Sequence, residues 1–145
     1  MRVMVIVKST KNAESGRMPS TEELQAMGEY NEQLVKAGIM VTGEGLKPSA
    51  AGARVRFKGD ALTVEHGPFT PVGEQVAGFW IWEVASMDEA IAWARRCPSP
   101  MPGEEGVLEL RPFVEAADFG DAYTDEVREQ EDRLRVELES QKRGA

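Results

Sequence analysis

Two residue types that carry much of active-site chemistry are nearly missing: the chain has one cysteine, Cys97, and one histidine, His66. A single cysteine excludes an internal disulfide framework and suits a reducing cytoplasm. One Cys and one His cannot build a Cys/His zinc site within one chain, so no metal and no cofactor are expected. Long apolar runs are also missing. Nothing approaches the roughly 20 residues of a membrane span. The segment MRVMVIVKST is too short for a secretory signal and has no small-residue cleavage site. Basic residues are outnumbered, 17 Lys and Arg against 25 Asp and Glu, giving a net charge of −8 and a pI near 4.8. Such a surface repels phosphate backbones and anionic lipids, so neither nucleic acid nor membrane is an expected partner. The expected location is cytoplasmic.

What the chain does have is a patterned length. Its 145 residues, 41% apolar and 29% charged, can bury one real core but not two. The organising stretch runs from Val64 to Val84, VEHGPFTPVGEQVAGFWIWEV. A β-branched run ends at His66, Gly67-Pro68 breaks it, and a polar loop follows. Gly78 then opens the apolar run Phe79-Trp80-Ile81-Trp82. Any chemistry is expected to be staged here.

Around this stretch the periodicities predict strand, helix, strands, helix, strand and a tail. Arg2 to Lys8 alternates Val3, Val5 and Val7 against Met4 and Ile6, so both faces are apolar. Lys11 to Pro19 reads as a polar loop. Ser20 to Glu23 is a capping box for a helix that places Leu24, Met27, Asn31 and Leu34 on one face, with Val35 beside it. Gly38 is its αL cap. After a short strand from Ile39 to Thr42, Gly43-Glu44-Gly45 reads as a turn, since Pro48 stands where a phosphate loop would need its third glycine. Ala53 to Phe57 and Ala61 to Glu65 form a hairpin around Lys58-Gly59-Asp60. Ser86 to Glu89 is a second capping box, and Ala90, Ile91, Trp93, Ala94 and Cys97 line the helix that Pro98 stops. Val107 to Pro112 is the last core strand, with Leu108 and Leu110 on one face and Glu109 and Arg111 on the other. Thr124 to Arg143 is mostly charged and reads as an appended helix with a thin apolar stripe, its Glu129/Arg133 and Glu131/Arg135 at i,i+4 spacing.

Two helices cover only one face of a four- or five-stranded antiparallel sheet. The strand at 78–84 has Phe79 and Ile81 on one face and Trp80, Trp82 and Val84 on the other. A bare face would expose large aromatics, which soluble monomers avoid. The expected cover is the same face of a second copy, related by a two-fold axis.

Several motifs in order resemble a known family. Gly43-Glu44-Gly45-Leu46, His66-Gly67-Pro68-Phe69, Gly78-Phe79, Asp88-Glu89-Ala90 to Cys97-Pro98, and Glu109-Leu110-Arg111-Pro112 are similar to the YCII-related proteins, and more closely to the branch named for Asp-Gly-Pro-Phe. The resemblance covers about residues 1–115, leaving 116–145 as polar linker and charged helix. It implies a ferredoxin-like α+β fold with helices on one face of an antiparallel sheet, dimerised face to face into an α+β barrel. It also implies a pocket between sheet and helices, a bacterial source, and a link to sigma-factor control in many members. The His–Asp pair that the family implies near the first helix falls, aligned on Gly38, at Met27 and Lys36. The motif aspartate is His66, and of a following Lys-Glu pair only Glu74 remains.

His66, the one imidazole, is the natural general base, with Glu74 to orient it or relay its proton. Its plain alternative is a strand-end residue bonding the turn. Arg111 and Glu109 share a face and read either as an anion clamp for a carboxylate substrate or as a structural ion pair at a dimer seam. Asn31 is a polar contact in the pocket or a helix-to-strand hydrogen bond. Trp80 is a ligand platform or core. The expected activity is cofactor-free chemistry on a small carboxylate or phenol; the alternative is a non-catalytic small-molecule-binding or regulatory protein.

Overall fold

The computed structural model describes residues 1–144. The chain divides into two compact units, one from Met1 to Phe113 and a second beginning at Val114.

In the first unit, β1 (Arg2–Lys8) pairs antiparallel with β5 (Val76–Glu83) on one side and β6 (Leu108–Pro112) on the other. β2 (Met40–Gly45) adds to the far side of β5. The order β2-β5-β1-β6 makes a four-stranded antiparallel sheet of ferredoxin-like α+β type. Two helices, α2 (Thr21–Lys36) and α3 (Met87–Ala94), lie on one of its faces. A one-turn helix, α1 (Lys11–Glu14), occupies part of the segment that reads as loop, because the Thr10 hydroxyl accepts from the Ala13 amide and caps it.

Both capping serines act as expected, though at Ser86 the box is incomplete: its hydroxyl accepts from Glu89 N, while the Glu89 carboxylate accepts from Ala85 N rather than Ser86 N. The Ser20 hydroxyl accepts from Glu23 N at 3.1 Å, and the Glu23 carboxylate accepts from Ser20 N at 3.2 Å. Gly38, with φ of 73°, closes α2: Ile39 N donates to Leu34 O and Gly38 N to Val35 O, the two bonds of a Schellman cap. The inward face is shifted from the expected one. Tyr30 and Leu34 are buried, while Leu24 and Val35 are exposed. α3 is shorter than the pattern suggests, ending at Ala94 with a tight turn through Cys97.

The core consists of Val3, Val5, Trp80, Trp82 and Val84 beneath Tyr30, Leu34 and Ala90. The expected alternation holds, and it is the tryptophan face that meets the helices: Trp80 and Trp82 lie in the core with Tyr30 and Leu34, and Trp82 is fully buried. The opposite face is crossed by two rows, Thr42–Ile81–Met4–Arg111 and Glu44–Phe79–Ile6–Glu109. A correction concerns Gly43-Glu44-Gly45, which is strand rather than turn. Gly43 lies opposite Trp80, and a Cβ there would stand 2.7 Å from the indole Cδ1. Only glycine lets that large ring lie against the neighbouring strand.

The hairpin β3 (Ala53–Lys58) and β4 (Ala61–His66) forms a separate two-stranded sheet. Its register pairs Val55 with Val64 and Phe57 with Leu62, four exposed apolar residues on one face. In the second unit, a 3-10 segment (Ala116–Ala122) precedes α4 (Asp125–Gly144). Instead of pairing with Arg135, Glu131 accepts from the Tyr123 hydroxyl, a bond that raises the Tyr123 pKa.

Candidate functional site

The His66 turn is built around a backbone contact. Gly67 N donates to Gly52 O at 3.0 Å, and Phe69 N donates to the Ser49 hydroxyl at 2.9 Å. Ser49 is itself held by Glu14, whose carboxylate accepts from the Ser49 amide and hydroxyl. The chain passes so close to Ser49 at Gly67 that a Cβ would fall 1.8 Å from the Ser49 carbonyl oxygen. The buried Phe69 ring carries the Arg54 guanidinium 4.0 Å above its centre. His66 ends β4 on the same face as Val64 and is exposed. Glu74 closes the 3-10 turn Val72–Glu74 and is also exposed.

The other four expected site residues separate into two pairs on opposite faces of the sheet. Asn31 Oδ1 accepts from Trp80 Nε1 at 2.9 Å on the helix side, and Tyr30 meets the same indole edge-on. This pair satisfies a buried indole N–H that would otherwise lack a partner. Glu109 and Arg111 lie on the face opposite α2 and α3, 3.5 Å apart, with Arg111 70% exposed. They border the apolar centre formed by Met4, Ile6, Phe79 and Ile81. Within one chain the six residues therefore do not line a single cavity.

Between sheet and helices, where the resemblance implied a pocket, the structure has a concavity between α3 and β6; its lining, from Ile91, Ala94 and Arg95 to Leu108 and Leu110, is not among the residues expected to form a site. Cys97 lies in its wall, where burial pushes the thiol up to about 11. The signal was available in part: Ile91 and Ala94 are one helical turn apart, and a proline-rich loop follows. Tyr30 was missed as well. Its hydroxyl donates to Trp93 O at 2.6 Å, tying α2 to α3, and burial raises its pKa. Among the described residues no cluster of His, Cys, Asp or Glu could hold a metal ion, and no helix is long and apolar enough to cross a membrane.

Strand order and a single helical layer define a ferredoxin-like α+β protein. Residues 1–116 match the YCII-related domain, and the chain belongs to that family. An uncharacterized protein of Rhizobium meliloti (strain 1021) is 32% identical over 91 residues, 63% of this chain and 73% of its own length. A solved structure of 5-chloro-2-hydroxyhydroquinone dehydrochlorinase from Burkholderia phenoliruptrix AC1100, in complex with 2,5-dihydroxybenzoquinone, has a TM-score of 0.45 and 19% identity. That match covers 79% of this chain and 95% of the dehydrochlorinase.

Proposed function

We propose that this YCII-family protein, of the Asp-Gly-Pro-Phe branch, binds a small carboxylate or phenolate at the sheet face opposite α2 and α3, between two copies of the chain. The observation that carries the reading is Arg111: a guanidinium 70% exposed, beside Glu109, at the rim of an apolar strip of Met4, Ile6, Phe79 and Ile81. A permanent cation next to apolar surface suits a ligand with one flat apolar body and one anionic group. A second copy laid on this face would cover the strip and remove water from around Arg111, which strengthens its attraction for an anion.

Titration calorimetry with benzoate and benzyl alcohol tests the reading. Benzoate is expected to bind more tightly, by about tenfold or more, and Arg111→Met to erase the difference while leaving the circular dichroism unchanged. Equal binding of the two compounds, or a preference that survives Arg111→Met, would overturn it. His66→Ala separates the catalytic alternative: an enzyme would lose turnover and keep benzoate binding.

A further inference from the structure

The open groove between α3 and the edge strand β6 holds about 300 Å³ and is lined mainly by apolar atoms. Its floor is Leu108 and Leu110, and its helix wall is Ile91 and Ala94. The opposite wall is the loop from Pro98 to Gly106. A Cβ at Gly106 would come within 3.1 Å of the Pro100 ring, so glycine lets the loop fold tightly on itself at the groove's edge. Glu104 ties this wall to the Thr10–Asn12 segment: its carboxylate accepts from the Thr10 hydroxyl at 2.6 Å and from Asn12 N at 3.4 Å. That acid is therefore committed to the Thr10–Asn12 segment and is not part of the groove lining.

Charge in the groove has one source. Arg95 lines it and forms no ion pair among the described residues. Its neighbour Arg96 is already occupied, donating to Gln33 at 2.6 Å and stacked 4.2 Å over Trp93. Cys97 adds no negative charge near neutral pH, since its buried thiol stays protonated and donates to Pro98 O. A mainly apolar groove of this size with one uncommitted guanidinium suits an elongated apolar body ending in a single anionic head.

We infer that the α3–β6 groove is a second ligand site, taking a medium-length monocarboxylate with its chain over Leu108 and Leu110 and its head on Arg95. The site is independent of the Arg111 face, because it lies on the helix side of the sheet.

Cys97 reports on the site directly, being the only thiol in the chain. The rate of its alkylation by iodoacetamide in the intact protein is followed by mass spectrometry, with octanoate and 1-octanol as matched probes. Octanoate is expected to slow alkylation saturably, with half-protection at a concentration about tenfold lower than that of octanol. Arg95→Met should bring the two probes together, chiefly by weakening octanoate, and Arg111→Met should leave both unchanged. Ala94→Phe, which fills the slot, should abolish protection by both. Where that variant misfolds, Ile91→Glu, at an exposed position with a carboxylate repelling the head group, should weaken octanoate alone. No protection up to about 10 mM octanoate, equal action of the two probes, or protection that survives Arg95→Met would overturn the inference.

Discussion

A methyl group at Gly67 would stand 1.8 Å from a backbone oxygen, so the glycine of the His-Gly-Pro-Phe turn is required by close packing. Gly67→Ala is expected to destabilise the first unit by about 3 kcal/mol, read as a fall in the urea midpoint. An unchanged midpoint would mean that the Ser49 turn yields easily. Asn31→Ala tests another single contact. It leaves Trp80 Nε1 buried without an acceptor, in a core where Trp82 Nε1 already has none among the described residues. The expected cost is about 1–3 kcal/mol, measured the same way. Cys97 and Tyr30 each make stability depend on pH in the alkaline range. Burial raises both pKa values, so the folded chain holds protons that the unfolded chain releases. Stability from Cys97 is therefore fully present below its ordinary pKa of 9.0 and is lost as pH rises through about 11. Urea midpoints taken between those values should fall more steeply in the parent than in Cys97→Ala; parallel curves would count against this account.

At the level of elements, α4 tests how much the second unit matters. The core of the first unit is built from its own residues, and α4 has no buried residue. A chain ending after Val114 should keep cooperative unfolding with a midpoint near that of the full chain, since exposed helix pairs contribute only about 0.3–0.5 kcal/mol each. A broad, non-cooperative transition would show that the core depends on the tail. Elements governed by local chemistry were legible in the sequence: both capping serines, Gly38 as a cap, and the hairpin around Gly59. Those governed by a distant partner were not. Gly43 reads as a turn residue because its reason for being glycine, the Trp80 ring, lies on another strand. Leu24 reads as core because periodicity gives a stripe but not which of its turns is covered, and Leu24 is exposed. Neither could the pattern separate Asn31 and Trp80 from Glu109 and Arg111, because faces are assigned by cross-strand register. Arg95 passed unnoticed because a cation after a helix is ordinary on a surface, and its interest comes only from Leu108 and Leu110 beside it.

For the whole molecule, the apolar strip on the sheet face opposite α2 and α3 and the exposed hairpin face lead us to expect association with a second copy. Light scattering at micromolar concentration should give about twice 16.0 kDa. Ile81→Glu should yield a folded monomer, whereas Trp82→Glu should unfold the chain, because an unpaired carboxylate in that core costs on the order of 3–5 kcal/mol. Parent protein running as a monomer, or Ile81→Glu remaining dimeric, would refute this arrangement. The sheet order has a further consequence, for how the chain reaches its fold. β1 lies at the centre, and its neighbours β5 and β6 come from much later in the sequence. No local pairing can shelter it, so the central ladder waits on long loop closure, and folding belongs to the slower, topology-limited range. Until β6 arrives, Val3 to Val7 is a bare adhesive strand, flanked by the charges of Arg2 and Lys8. Lys8→Val should therefore lower the yield of refolding at micromolar protein, through aggregation, while moving equilibrium stability by no more than about 0.5 kcal/mol. The cation at position 8 would then protect the chain during its search for the fold more than it stabilises the finished sheet.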